Sequence, residues 1–220
     1  MVVIGTNTVR IIVEDVLFDI EAGTLGQSAT GEAMAHGIRH LSRMLKSWQS
    51  MGYFQSLVAE QSLTIVANTA DHTLSPVRPM KILTARYKDT SGNEIPMNEL
   101  NRQEYDELPT KTTTGIPTNF YYNRQKESAV FTIWPVKASV TTETIEITYE
   151  REYEDISDED DVIDVPAEAY DAVVLGLAAR LAHTYGSADR KGMIKADARE
   201  ALNVWLASDM EPVVRFFDDR

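Results

Sequence analysis

His36 and His40 stand four residues apart in a stretch of helical period, the spacing that puts two imidazoles on one helix face where they could ligate a metal. A zinc-protease helix also needs a general-base glutamate after its first histidine, but Gly37, Ile38 and Arg39 fill that interval and no third ligand is marked elsewhere. A solvated or interface face is the plainer reading. His72 is assigned to a loop. His183 falls near a helix end, where a cation is mildly favoured.

The loudest charge feature is Glu150, Glu152, Glu154, Asp155, Asp158, Glu159, Asp160, Asp161 and Asp164, relieved by Arg151 alone. Calcium takes six to eight oxygens, but an EF-hand loop also requires a glycine at its sixth position and a glutamate at its twelfth. Counted from Asp155 those positions hold Asp160 and Pro166, so the match fails. A solvated loop is the simpler expectation, and a surface that keeps a polyanion from sticking is another. There is no Gly-x-Ser-x-Gly elbow, no phosphate-cradling glycine loop with lysine and no dinucleotide fingerprint. No catalytic, cofactor-binding or metal-ligating residue is assigned, no cofactor is expected, and enzyme is the unsupported class. The basic residues Arg39, Arg43 and Lys46 form a ridge at helical spacing. That ridge is either solvated or, more sharply, an interface with an acidic neighbouring copy.

These residues sit in a chain of 220 residues with 21 Lys and Arg against 34 Asp and Glu, a net charge of −13, 43% apolar residues and no cysteine. A chain of this length buries roughly 70% of its unfolded surface and needs no disulfide to hold a core. Without cysteine there is no thiolate metal site and no thiol nucleophile, and a reducing compartment suits the chain. No apolar run approaches the roughly 18 residues of a membrane span. Met1–Arg10 carries no secretory pattern, so a soluble intracellular protein is expected. The acidic balance argues against electrostatic capture of nucleic acid, which depends on Lys and Arg displacing counterions, but not against a protein that surrounds DNA.

Hydrophobic period divides the chain. Thr8–Ala22 reads as an amphipathic helix whose apolar residues include Ile11, Ile12, Leu17, Phe18 and Ile20, with Asn7 or Thr8 as cap and Gly23 as stop. Thr30 caps a second helix whose inward stripe runs through Met34, Gly37, Leu41, Leu45 and Trp48 to a stop at Gly52. Alternation then predicts strands at Leu63–Ala67, Met80–Arg86, Glu94–Met97, Phe120–Asn123, Ala129–Trp134 and Thr144–Tyr153, with a turn at Asp89–Asn93 and a hairpin loop at Arg124–Ser128. Asn98 is expected to cap a short helix through Leu108. Helical period returns with Tyr170, Val173, Val174, Leu177, Leu181 and Tyr185, entered at Pro166 and closed by Gly186. A last helix covers about residues 189–207, and Pro212 prevents its continuation. The expected fold class is α+β, a helical bundle core of two amino-terminal and two carboxyl-terminal helices with an inserted antiparallel β-rich domain. The expected divisions are 1–54, 55–153, 154–207 and a tail at 208–220.

Short motifs add a resemblance. Leu41–Gly52, Leu63–Val66, Asp71–Leu74, Arg78–Ile82, Gly115–Tyr122, Ile133–Val136, Val165–Tyr170 and Leu177–Ala182 follow the order of the head-to-tail adaptor proteins of short-tailed bacteriophages, also called tail accessory or packaged-DNA stabilisation proteins. The likeness spans most of residues 30–206, and its specificity lies in order and spacing. His72 departs from it, since an aromatic is more usual there. The resemblance implies a virion structural protein at the head-tail junction, made in the host cytoplasm. Its copies form a dodecameric ring that binds the portal protein, extends the DNA channel, helps retain the packaged genome and receives the next tail or nozzle protein. It also implies a carboxyl-terminal segment that grips the portal, which here places Val213, Val214, Arg215, Phe216 and Phe217 as portal-binding residues, folding back on the chain's own helices being the alternative. Arg39, Arg43 and Lys46 are the ring-interface candidates. Two other classes stay in view. A peptidoglycan-degrading hydrolase needs a carboxylate pair in a cleft, and a nucleic-acid-binding module predicts retention on DNA with a steep salt dependence.

Overall fold

A computed structural model of the chain describes residues 8–23, 28–52, 57–74, 78–125, 128–186 and 188–208. Among them are five α-helices and a seven-stranded sheet, a mixed α+β fold. The chain divides into two compact units, Met1–Ser56 with Tyr153–Arg220, and Leu57–Glu152.

The first unit is helical. It holds α1 (Val9–Asp19), α2 (Gly31–Ser50), α4 (Tyr170–Leu181) and α5 (Lys191–Ser208), while α3 (Arg102–Asp106) belongs to the second unit. Helix α4 packs against the other three, and its sequence shows why. Ala172, Val173, Val174, Leu177, Ala178 and Leu181 are all buried, so this helix is apolar around most of its circumference, as a central helix must be. Helix α2 is one-sided, burying Met34, Gly37, Leu41, Met44, Leu45 and Trp48. Its Thr30 cap accepts a hydrogen bond from the Ala33 N–H at 3.3 Å.

Gly37 sets how closely α1 and α2 approach. A Cβ built there would lie 2.6 Å and 2.8 Å from the two methyls of Val13, closer than real contacts allow. Gly37→Ala gains about 1 kcal/mol of helix propensity but forces an overlap costing about 1–3 kcal/mol, so a net loss of about 1 kcal/mol is expected in urea unfolding. On a Val13→Ala background the same substitution should cost nothing.

Several expectations shift in α1 and beyond α4. Ile11 and Phe18 are 42% and 48% exposed, and the buried stripe of α1 is Val9, Ile12, Val13, Val16 and Leu17. Thr8 stands at the cap position without a side-chain cap bond, and Asn7 lies outside the described residues. The orphan donors of α1 are met differently: Val9 N–H donates to the Asp161 carbonyl at 2.9 Å and Arg10 N–H to that of Glu159 at 2.8 Å. Helix α4 stops at Leu181, before Gly186. That glycine follows in a turn where a Cβ would sit 2.9 Å from Ala182 Cα.

The second unit contains β1 (Val58–Thr64), β2 (Asp71–Leu74), β3 (Lys81–Lys88), β4 (Glu94–Glu99), β5 (Asn119–Arg124), β6 (Ala129–Trp134), β7 (Thr144–Glu150) and the short α3 (Arg102–Asp106). The sheet order is β1-β7-β3-β4-β5-β6-β2. All neighbours are antiparallel except β4 and β5, which run parallel with Asn98 opposite Asn119, so the expected wholly antiparallel sheet is corrected at one pair. Strand β7 alternates cleanly, burying Ile145, Ile147 and Tyr149. Phe120 and Phe131 stack with ring centroids 4.8 Å apart in the same core.

Two local expectations fail here. Asn98 lies in β4, and Asn101 caps α3 through a reciprocal box with Glu104, each side chain bonding the other's backbone N–H. The assignment of His72 to a loop is also wrong. It sits on β2, which pairs with β6.

Candidate functional site

The recognised motifs fall on the joints of the sheet unit. Arg78 pairs with Glu152 and donates to the Gln125 carbonyl at 2.9 Å. Tyr122 donates its hydroxyl to the Pro79 carbonyl at 2.5 Å, and burial pushes its pKa up to about 12. Trp134, which precedes a cis proline, donates its indole N–H to the Thr110 carbonyl at 3.0 Å, and Thr132 donates to Asp71 at 2.6 Å. In the helical unit Tyr170 closes the Val165–Tyr170 motif by donating to Asp15 at 3.3 Å. Burial first, then the Asp15 charge, raises that phenol to about 12. The motif order therefore encodes side chains that lock loops and element ends.

His72 belongs to these locks. It is 5% exposed, its Nε2 accepts from the Val66 N–H at 3.0 Å and its Nδ1 bonds the Ala70 carbonyl at 3.2 Å, which assigns the neutral imidazole with its proton on Nδ1. Burial holds its pKa below 6.5, with the Ala70 carbonyl and Asp71 opposing. Because the folded value is depressed, this stabilisation is complete above pH 6.5 and is lost as pH falls through the folded pKa. An NMR titration should give a His72 midpoint below 6.5 that the Val66 amide resonance follows. The His72→Gln variant should lack that part of the acid decline in stability.

The first histidine pair comes together without a third ligand. His36 and His40 approach at 3.1 Å between their Nε2 atoms, and Tyr185 packs edge-on against His36. Among the described residues no group of three or more His, Cys, Asp or Glu is arranged to hold a metal. His40 is held below the ordinary imidazole range by burial, then by the charges of His36, Arg43, Arg180 and Arg39. His183 lies exposed in the turn after α4.

Of the basic ridge, Arg39 and Arg43 are exposed on α2, while Lys46 turns into its own unit. Its ammonium bonds the Tyr153 carbonyl at 2.9 Å and the Asp155 carboxylate at 3.0 Å. The acidic stretch is likewise internally engaged. Glu159 pairs with Arg10, and Asp161 accepts from the Ser157 and Asp158 N–H groups, which hold its carboxyl below the usual range. Val213, Val214, Arg215, Phe216, Phe217 and Pro212 lie outside the described residues.

A groove that sequence reasoning did not nominate lies between α2, α4 and α5. It encloses about 640 Å³ and is rimmed by Arg180, Lys191, Lys195 and Arg199. Its signal was present in the four-residue spacing of Lys191, Lys195 and Arg199. The signal was silent about the floor, which α2 and α4 supply.

The chain belongs to the SU10 adaptor protein family, whose model matches residues 8–214. That membership agrees with the resemblance to head-to-tail adaptors carried by the ordered motifs. No curated protein matches the sequence. Among solved structures the chain is similar to one in the neck of an empty gene transfer agent (GTA) particle computed with C6 symmetry, at 16% identity over 94% of this chain and 92% of that one, TM-score 0.31. It is also similar to a chain of the virion of a native GTA particle, at 14% identity over 86% and 87%, TM-score 0.30. A third, in the neck of a native GTA particle computed with C12 symmetry, gives 16% identity over 84% and 91%, TM-score 0.29. The membership rests on the family match over residues 8–214.

Proposed function

We propose that the chain is a head-to-tail adaptor of a short-tailed phage particle, assembling as a dodecameric ring beneath the portal at the head-tail junction. The family match over residues 8–214 carries this reading. In it the ring extends the DNA channel, helps retain the packaged genome and receives the next tail component, without catalysis. Val213, Val214, Arg215, Phe216 and Phe217 grip the portal, and Arg39 and Arg43 remain open for contact between copies. The net charge of −13 supports a protein that encloses DNA, since carboxylates facing phosphates repel and leave the duplex free to slide.

Co-sedimentation with portal assemblies of the same particle tests the reading. The chain should move with the portal, and duplex DNA at moderate salt should retain none of it. A chain that never moves with the portal, or that DNA retains with a steep salt dependence, overturns the proposal.

A further inference from the structure

Helix α5 is divided lengthwise by charge. Lys191, Lys195 and Arg199 recur every fourth residue and share one side. Asp197, Glu200 and Val204, at i, i+3 and i+7, share another, and at 100° per residue the two sides are nearly opposite. Each side borders a groove of the helical unit.

The first is the cationic groove of about 640 Å³, floored by Met44, Trp48, Gly176 and Leu202, and among the described residues no carboxylate lines it. The second, of about 300 Å³, is lined by Glu168, Asp171, Asp197 and Glu200 around Leu175 and Val204, and among the described residues no basic residue lines it. Among the described residues none of these charged groups is in an ion pair. Val204 is 65% exposed at the apolar centre of the acidic groove, while Trp48 and Trp205 are tilted against each other at 5.4 Å in the core. Arg180 is half-buried without a counter-charge, and that burial lowers its pKa. Among the described residues, therefore, no carboxylate compensates this positive charge.

Like charges gathered in one groove repel unless a partner supplies the opposite sign. The chain carries such a partner surface on itself: carboxylates around an apolar centre, matched to cations around an apolar floor. Since the two surfaces lie on opposite sides of α5, one unlike contact leaves the other pair of faces open. The contact then propagates head to tail, the heterologous geometry that gives a ring when the rotation between copies closes and a filament when it does not. Nucleic acid fits less well, because the groove floor is aromatic and aliphatic and the chain as a whole is anionic.

We propose that the face of the helical unit carrying Arg180, Lys191, Lys195 and Arg199 packs against the face carrying Glu168, Asp171, Asp197 and Glu200 of the next copy of this chain. The proposal rests on the adaptor reading for its ring, while the pairing itself is a property of the chain alone.

Charge reversal tests it in solution. The Lys195→Glu/Arg199→Glu variant leaves the cationic groove with two cations and two carboxylates, and Asp197→Lys/Glu200→Lys does the same to the acidic groove, so each variant keeps one intact charged groove and one neutralised one. All four residues are exposed, so both variants should keep the wild-type melting temperature. If a double reversal melts early, the neutral pairs Lys195→Gln/Arg199→Gln and Asp197→Asn/Glu200→Gln take its place, each expected to weaken self-association. Each variant alone should lose more than about tenfold in self-association by sedimentation, and an equimolar mixture should associate as a heterodimer through the two unaltered grooves. Self-association of either variant alone at the wild-type level overturns the pairing, as does a mixture that stays dissociated. Wild-type retention on duplex DNA that Lys195→Glu/Arg199→Glu abolishes overturns it in favour of a nucleic-acid groove. Failure of the adaptor reading is separately visible: the mixture then associates in solution, but wild-type chain leaves portal assemblies bare.

Discussion

Removing residues 213–220 is expected to abolish attachment to the portal while leaving the melting transition unchanged. Val213, Val214, Phe216 and Phe217 concentrate apolar surface in a terminal stretch, with Arg215 among them and Asp218 and Asp219 beyond. Buried aromatic anchors at interfaces each cost about 2–4 kcal/mol when truncated, so losing both phenylalanines corresponds to a thousandfold or greater loss of affinity. Co-sedimentation of truncated and full-length chains with portal measures attachment, and calorimetry measures the fold. Truncation that keeps attachment but destroys cooperative melting would place these residues in the chain's own core.

Leu177→Ala should produce the largest loss of stability from a single substitution in the helical unit, about 2–5 kcal/mol in urea unfolding. Leu177 is fully buried on α4, the helix packed by α1, α2 and α5 at once, so the cavity has walls on several elements and little room to collapse. Val204→Ala, on the exposed side of α5, should stay within about 0.5 kcal/mol. Tryptophan fluorescence reports the change, because Trp48 and Trp205 lie together in this unit. Equal effects from the two substitutions would mean that α4 is not its centre.

Helix α2 was legible because every signal agreed: the Thr30 cap, the stripe from Met34 to Trp48 and Gly52, whose φ of 86° suits glycine. The turn between β3 and β4 was legible for the same reason, with Asp89 accepting from Ser91 and Asn93 and Gly92 at positive φ. Strand β2 was hidden by its brevity and by His72, a polar residue at an inward position whose hydrogen bonds go to Val66 and Ala70. The parallel contact of β4 with β5 was hidden because no local pattern encodes which strands become neighbours across an intervening helix.

The candidate surfaces show the same limit. The cations of α2 were visible as a ridge, but Lys46 finds its partners more than a hundred residues away, at Tyr153 and Asp155. The acidic stretch was visible as charge, while its task of receiving the first amides of α1 depends on tertiary contact. On α5 the spacing of the lysines was in plain view, and only the floor from α2 and α4 makes it a groove.

Electron microscopy of portal assemblies mixed with a saturating excess of the chain tests the central claim most directly. A second, dodecameric ring is expected, coaxial with the portal and continuous with its channel, present with full-length chain and absent after truncation at Pro212. Portals that remain bare at saturation would contradict it.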